Sequence, residues 1–262
     1  MIRNLFIIGA SGLVLAIVGI GGALAIGGAD LAKHNWTWVI DDNSNGSDSV
    51  SIIRGGEAPV EITRTIEWAG GDTLTFDLPG KVTYIQDANA TGITVEGNKD
   101  LVEQVTFNNG RIRLENPERT GDGRSYVTLS KSGIHGWSER DNLKITVRAP
   151  AVKNFILSGD SDVIVRDYDQ SDISITLTGY ADIEVEGRTD NLTIDGSANT
   201  SADLFDLLTT NATIRTSGSS NVETSANGKV TVQATGNSEV NFSRNPSELR
   251  QELTQQARVQ QD

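Results

Sequence analysis

A five-residue pattern recurs in the last part of the chain and constrains its fold more than any other feature. The pattern is a glycine, a variable residue, a serine or alanine, a short polar residue or glutamate, and a mostly β-branched residue. Its copies are residues 159–163, 179–183, 196–200, 218–222 and 236–240. The glycines lie 20, 17, 22 and 18 residues apart, and such a period is typical of coils in a stacked repeat protein.

Apolar residues alternate with polar ones on both sides of each copy. Phe155 and Leu157 precede the first glycine, and Val163 and Val165 follow it. This alternation predicts half-buried strands, and a glycine between two strands allows a sharp corner because glycine adopts positive φ at little cost. Two strands and a corner in each coil predict an all-β fold, a parallel β-helix or solenoid, with five regular coils over residues 151–244.

The polar position of the pattern is expected to form a ladder along the solenoid. Its members are Asp162, Asp182, Asn199, Asn221 and Glu239. Paired strands lie about 4.8 Å apart, so neighbouring carboxylates repel by about 1 kcal/mol even in water, and the asparagines are expected to relieve this through amide hydrogen bonds. A row of calcium ligands is the functional alternative. The glycine-aspartate nonapeptide of calcium-binding β-rolls is absent, so we predict no metal site.

Composition excludes several classes of function. The chain has no cysteine, which removes disulfides, thiol nucleophiles and cysteine metal sites, and its net charge of −13 repels nucleic acid. The two histidines, His34 and His135, lie far apart, and His135 is interpreted as a loop residue. Nucleophile-elbow, phosphate-loop and zinc-protease motifs are missing from the sequence. We expect no enzyme activity, no cofactor and no nucleic-acid partner.

The beginning of the chain has the features of a membrane segment. Residues 5–29 carry no charge and follow Arg3, and 25 residues are long enough to span a bilayer. The positive-inside rule then predicts a cytoplasmic N-terminus. We expect residues 1–30 to form a single transmembrane helix in the inner membrane, with the rest of the chain periplasmic or extracellular. The alternative is a signal peptide cleaved near residues 23–25, which would give a secreted protein.

Residues 31–49 are predicted to be a flexible linker, because polar Asp, Asn, Ser and Gly dominate residues 41–49. Trp36 and Trp38 follow the apolar segment closely, and we interpret them as side chains at the membrane interface. Stacking on a carbohydrate is the alternative function for this pair.

Residues 50–150 contain short alternating segments without a clear repeat, so we predict irregular early coils or a capping subdomain within a domain over residues 50–244. Residues 108–110, Asn-Asn-Gly, indicate a hairpin turn, and residues 116–125 indicate an exposed excursion. Residues 245–262 are predicted to be a short helical or disordered tail, since Asn245, Pro246 and Glu248 are typical of a helix start. Leu249 and Leu253 of this helix would cover the open end of the last coil, or the tail would dock on a partner.

Several short motifs occur in a fixed order before and within the repeats. They are Trp68-x-Gly70-Gly71-Asp72-x-Leu74, Leu78-Pro79-Gly80, residues 93–98 (ITVEGN), residues 109–112 (NGRI), Ala149-Pro150 and residues 158–163 (SGDSDV). Together they resemble the "putative auto-transporter adhesin head" family, known as GIN domains, over about residues 50–244. The resemblance implies a right-handed parallel β-helix of the bacterial envelope with no agreed activity and no catalytic residues.

We therefore expect a membrane-anchored, adhesin-like or ligand-binding envelope domain whose partner is an envelope polysaccharide or a protein. Self-association through the solenoid ends is a further expectation. A structural scaffold of the envelope is one alternative. A polysaccharide-acting enzyme is another, with Asp160, Asp162 and Asp182 as its candidate carboxylates.

Overall fold

The structure, a computed structural model, describes residues 36–41, 49–54, 60–115, 124–130, 133–138 and 143–261. The first elements in chain order are β1 (Trp36–Asp41), β2 (Ser49–Arg54), β3 (Glu61–Ile66), β4 (Thr73–Asp77), β5 (Gly80–Gln86), β6 (Gly92–Asn98), α1 (Lys99–Val102), β7 (Val105–Asn108), β8 (Arg111–Leu114), β9 (Arg124–Ser130) and β10 (Gly133–Ser138). The remaining strands are β11 (Lys144–Ala149), β12 (Asn154–Ser158), β13 (Ser161–Gly179), β14 (Asp182–Ala198), β15 (Ser201–Leu204), β16 (Leu207–Thr216), β17 (Asn221–Thr224), β18 (Lys229–Ala234), β19 (Glu239–Phe242), β20 (Glu248–Leu253) and β21 (Arg258–Gln261).

One of two units in the chain is a four-stranded antiparallel sheet in the order β10–β9–β1–β2. The linker prediction was wrong at β1, because alternating bulky residues there form ladders with both β2 and β9. His135 lies in β10 rather than in a loop. The predicted membrane segment, residues 5–29, lies outside the described residues. Within the described part of the chain, no helix is long and apolar enough to span a bilayer.

The other unit confirms the predicted β-solenoid, with about five turns. Two parallel ladders run along it. The first contains β4, β12, the end of β13, the end of β14, β16, β18 and β20. The second contains β5, the start of β13, the start of β14, β15, β17, β19 and β21. Strands β13 and β14 are long because each turns from the second ladder into the first of the next coil.

The interior is filled by side chains that stack from coil to coil. Phe155, Ile175, Ile194, Ile214 and Val232 occupy successive rungs of one inward column, and each is fully buried. The same register confirms the inward positions predicted from alternation, because neighbouring strands in register place equivalent side chains on one face. Hydrophobic burial is therefore repeated once in every coil.

The stacked corner residues adopt positive φ, as predicted, but one of them is not a glycine. They are Gly159 (φ 74°), Gly179 (φ 84°), Ala198 (φ 73°), Gly218 (φ 79°) and Gly236 (φ 81°). The prediction was wrong at Gly196, which pairs with Thr216 inside the ladder, two residues before the corner. The Ala198 carbonyl accepts the Ser219 N–H at 2.7 Å, so Ala198 continues the column of stacked corner residues. Its left-handed backbone conformation is strained, because alanine has a Cβ atom.

The third position of the pattern is buried at the corner, which explains its preference for small residues. Ser161, Ser220 and Ser238 are each 1 % exposed. Each hydroxyl donates to the carbonyl three residues earlier, at 2.9, 2.9 and 2.7 Å respectively. These bonds satisfy backbone acceptors that the turn leaves outside the ladders.

The polar ladder differs from the prediction by the same two-residue shift. Asp162 and Asp182 are neighbours as expected, but Ser201 occupies the next rung and Asn199 lies exposed in the corner. Asn221 and Glu239 then continue the ladder.

The expected amide hydrogen bonds form on another column. There Asn191 Nδ2 donates to Asp172 Oδ1 at 3.0 Å, and Asn211 Nδ2 donates to Asn191 Oδ1 at 3.2 Å.

The first end of the solenoid is closed by antiparallel strands and a short helix. Strand β6 pairs antiparallel with β3 and β11, and β7 pairs antiparallel with β8. The predicted hairpin turn is confirmed, with positive φ at Asn109 (49°) and Gly110 (78°), the signature of a type I′ turn. Helix α1 buries Leu101 and Val102 at this end. Residues 116–123 of the predicted excursion lie outside the described chain.

The prediction of a C-terminal helix was wrong. Residues Glu248–Leu253 form β20 in parallel register with β18, and Arg258–Gln261 form β21 beside β19. Leu249 and Leu253 are four residues apart, a spacing that suits one face of a helix and one face of a strand equally. Backbone bonds to the preceding coil decide between them, because an isolated helix this short is marginal in water.

Candidate functional site

A shallow depression of about 420 Å³ lies near the first end of the solenoid. It is lined by residues 67–73 with Phe107, Asn109 and Gly110, and we call it the Trp68 depression. Two segments form it: the loop that joins β3 to β4, and the turn of the β7–β8 hairpin. Both belong to the part of the chain in which the sequence showed no regular repeat.

Trp68 and Phe107 form the apolar part of the depression. Their rings meet edge to face, with centroids 5.8 Å apart and planes at 71°. Both side chains are half-buried and pack against the solenoid core, so the core residues hold the two rings in position. A Cβ atom at Gly71 would lie 3.6 Å from Trp68 Cζ2, so glycine at this position leaves the edge of the indole uncovered.

Glycine is required at one wall of the depression because two backbones meet there. A Cβ atom at Gly110 would lie 2.5 Å from the Thr73 carbonyl oxygen, closer than atoms can approach. The Gly110 carbonyl in turn accepts the Thr75 N–H at 2.8 Å. The hairpin turn is thereby locked against β4, which fixes Asn109 at the rim.

The rim is polar and acidic. Glu67, Asp72 and Asn109 are exposed there. Asp72 is held firmly, because its carbonyl accepts the N–H groups of Lys153 and Asn154 at 2.8 Å and its carboxylate accepts the Thr73 hydroxyl at 2.9 Å. An aromatic floor with fixed acceptors at its edge is suited to a ligand that has an apolar face and hydroxyl or amino groups.

A second feature of the surface is a run of carboxylates on the second ladder, which we call the acidic face. Its members are Asp162, Asp182, Glu184, Asp203, Glu223 and Glu239. Glu184, Asp203 and Glu223 occupy three consecutive rungs. Lys81 adjoins Asp162 at one end of this run and Arg258 adjoins Glu239 at the other, so cations bracket the acidic residues.

Partial burial and a neighbouring charge together change the ionisation of one member of the acidic face. Partial burial, and after it the charge of Asp162 on the preceding rung, raise the pKa of Asp182 above its ordinary value. A hydrogen bond from the Ser201 N–H opposes this shift. No group of His, Cys, Asp and Glu residues within the described ranges has the arrangement of a metal site.

The structure brings together two of the three carboxylates that the enzyme alternative names. Asp162 and Asp182 stand on neighbouring outward rungs, whereas Asp160 lies in the corner. The Trp68 depression was not predicted as a site. Its signal in the sequence is Trp68 with two glycines close behind it, which are part of the motif order that carries the family resemblance.

Two of three comparisons relate the chain to known proteins. The family model described as "Putative auto-transporter adhesin, head GIN domain" matches residues 72–246. No curated protein matches the chain.

One solved structure shares its fold, and a second has a lower similarity score. A "putative adhesin" from Bacteroides fragilis has a TM-score of 0.57 at 12 % identity, covering 78 % of this chain and 98 % of that one. A "putative lipid binding protein" from Parabacteroides distasonis has a TM-score of 0.42 at 13 % identity, with 77 % and 96 % covered. At such identity the likeness concerns the fold alone. The family model spans most of the solenoid unit, and the chain belongs to the GIN-domain family that this model describes.

Proposed function

We propose that this protein is a non-enzymatic ligand-binding domain of the bacterial envelope that holds a polysaccharide at the Trp68 depression. Residues 5–29 anchor it as a single-pass helix in the inner membrane, with the N-terminus cytoplasmic and the solenoid outside the cytoplasm. The solenoid is right-handed, in keeping with the strong preference for right-handed crossovers between parallel strands. Its adhesin-like role is capture of the ligand rather than its chemical conversion.

The observation that carries this proposal is the edge-to-face pair of Trp68 and Phe107 beneath an acidic rim. A pyranose ring presents C–H groups on one face and hydroxyls around its edge. The C–H face packs on the exposed apolar surface of Trp68 and Phe107, and the hydroxyls donate to Glu67, Asp72 or the Asn109 side chain. The depression is open enough for an internal sugar of a chain, since its floor lies at the surface.

The negative charge of the rim restricts which sugars the Trp68 depression can bind. The rim contributes two carboxylates, Glu67 and Asp72, and the chain as a whole carries a net charge of −13. Uronic acids and phosphorylated sugars are repelled by this surface, whereas neutral sugars and amino sugars are accepted. We therefore expect binding to neutral or amino-sugar polysaccharides in preference to acidic ones.

The test is a binding titration of the full-length chain in detergent against neutral, amino-sugar and acidic envelope polysaccharides. We expect Trp68→Ala to weaken binding at least tenfold, because it removes the apolar floor, and Trp68→Phe to retain part of the affinity. Tyr180→Ala is the matched control, since Tyr180 is an aromatic residue 65 % exposed in a corner away from the depression. Circular dichroism confirms that each variant is folded.

Two results would contradict the proposal. One is a wild-type chain that binds none of the polysaccharides at millimolar sugar. The other is a folded Trp68→Ala variant that binds as tightly as the wild type, which would move the site elsewhere.

A further inference from the structure

The strand β20 has one edge without a neighbouring strand in the described part of the chain. It pairs in parallel with β18, and the N–H groups of Glu248 and Thr254 donate to carbonyls of the preceding coil at 3.2 and 3.0 Å. Since backbone groups alternate in direction along a strand, those of Leu249, Gln251 and Leu253 face the other way. They form an open row of donors and acceptors, the kind of edge to which another strand adds.

The side chains at this edge are apolar but incompletely covered. Leu249 and Leu253 stack over Val230 and Ala234, which are buried, yet both leucines are only half-buried. The opposite end of the solenoid differs, because antiparallel strands and α1 close it. An additional strand beside β20 would therefore complete the core at an end for which the described residues provide no cover.

The sequence of β20 is complementary to itself in antiparallel orientation. Residues 249–253 read Leu-Arg-Gln-Glu-Leu. If two copies pair about a twofold axis through Gln251, Leu249 of each copy faces Leu253 of the other. The same register sets Arg250 opposite Glu252 on both sides of the axis. Both the apolar and the charged positions are thus matched in a single register.

Strand geometry agrees with this register. The inward residues 249, 251 and 253 carry the open backbone groups, so they become hydrogen-bonded pairs, each exchanging two N–H···O bonds. Arg250 and Glu252 then fall in non-hydrogen-bonded pairs, in which side chains approach most closely. Arg250 also bonds Glu248 at 3.0 Å, and the five donors of a guanidinium allow it to keep that contact.

A slipped register is disfavoured. Moving one strand by two residues places Arg250 opposite Arg250 and Glu248 opposite Glu252, and like charges directly opposite one another destabilise a strand pair. The slip also sets leucine against Gln251. The matched register additionally brings the two Gln251 amides together on the axis, where each can satisfy the other.

We propose that this protein forms a twofold-symmetric dimer by antiparallel pairing of β20 with β20 of a second copy of the chain. Such a contact is isologous and closes on itself, so it yields a dimer rather than a filament. This inference is independent of the polysaccharide site.

Charge reversal tests the proposed register. The mass of the full-length chain in detergent is measured by light scattering after size-exclusion chromatography. We expect a dimer for the wild type at micromolar concentration and at least tenfold weaker association for R250E or for E252R. The double variant R250E/E252R restores the opposite charges and should restore the dimer. Arg215→Glu, a reversal on the same ladder away from the edge, should have no effect. A monomeric wild type, or a dimer indifferent to R250E, overturns the proposal.

Cross-linking tests the position of the twofold axis. Because the chain has no native cysteine, an introduced cysteine can form a disulfide only with its counterpart in another copy. Cα atoms of a hydrogen-bonded antiparallel pair lie about 5.5 Å apart, within the range that a disulfide spans. We expect Q251C to give a disulfide-linked dimer on mild oxidation and Q233C, the matched control one coil away, to stay reduced. Equal cross-linking of both variants, or of neither, overturns the proposed axis.

Discussion

Near its first end the solenoid unit stacks three large aromatic side chains on one another, whereas near its last end most inward side chains are small and aliphatic and Phe242 is the buried aromatic of β19. At the first end, Tyr84, Phe155 and Tyr168 form an edge-to-face stack with centroid separations of 5.2 and 6.2 Å. In the later coils, the inward positions hold residues such as Val232, Ala234 and Val240, all buried. The first end is also closed by antiparallel strands and α1, whereas the last end exposes the edge of β20.

The difference between the two ends shows how the narrow interior of a solenoid changes its side chains where the regular coils begin. Small residues suit coils that have a like neighbour on both sides, because each coil then stacks directly on the next.

The buried tyrosines of the first end need acceptors for their hydroxyls. Tyr84 donates to the Ala149 carbonyl at 2.9 Å, and Tyr168 donates to the Asp172 carbonyl at 2.7 Å. Burial raises the pKa of both phenols, so they remain protonated donors. Aromatic packing thus joins the irregular first coil to the regular ones.

Phe155→Ala is expected to have the largest effect, because Phe155 lies between the two tyrosines and is fully buried. We expect a loss of about 3–5 kcal/mol in the free energy of unfolding, measured by chemical denaturation. Ile156→Ala is the control on the same strand, since Ile156 faces outward and is 37 % exposed, and it should cost less than about 1 kcal/mol. Similar losses for both variants would show that the aromatic stack does not stabilise the junction.

Gly236→Ala probes the corners of the regular coils, where the backbone of one coil stacks closely on that of the preceding coil. Gly236 has φ 81°, and a Cβ atom there would lie 2.5 Å from the Gly218 carbonyl oxygen. We expect a loss of more than about 2 kcal/mol, from left-handed strain together with the clash. Gly159→Ala has the same strain but open space around it, so it should cost about 1 kcal/mol. The same denaturation experiment compares them, and equal losses would mean that stacking at the corner adds nothing.

Asp182→Asn is expected to have the smallest effect, an increase in the free energy of unfolding of less than about 1 kcal/mol at pH 7. The pKa of Asp182 is raised above 3.8 in the folded state, so the folded chain binds its proton more readily than the unfolded chain. Its ionised form therefore lowers stability above the folded pKa, and this cost disappears as the pH falls through that pKa. The gain from the substitution should vanish below about pH 3, where Asp182 is protonated.

The measurement for this variant is denaturation at a series of pH values. Asp206→Asn, an exposed carboxylate outside the acidic face, is the control and should leave the pH dependence unchanged. A loss of stability at pH 7 on Asp182→Asn would mean that the bond from the Ser201 N–H outweighs the repulsion from Asp162.

Sequence reasoning succeeded where each coil repeats the environment of the last. Alternation around Val163, Ile183 and Val240 predicted their burial, because period two and in-register stacking leave one face inside. It failed at Gly196, where the pattern matched a glycine two residues before the true corner at Ala198. Hydrogen bonds between neighbouring coils determine which residue forms the corner, and these bonds cannot be deduced from the sequence of one coil.

The Trp68 depression and β20 were beyond the sequence for a related reason. Trp68 and Phe107 are nearly 40 residues apart, and only the β7–β8 hairpin against β4 brings them together. Leu249 and Leu253 fit a helix and a strand alike, and the ladder with β18 chose the strand.

The sequence by itself determined the all-β class, the coil length, the inward columns and the absence of cysteine chemistry, since these follow from local periodicity and composition. Tertiary structure alone decided the corner at Ala198, the rung held by Ser201, the closed first end and the strand at residues 248–253. Those features depend on contacts between residues distant in the chain, whose free energies outweigh local preferences.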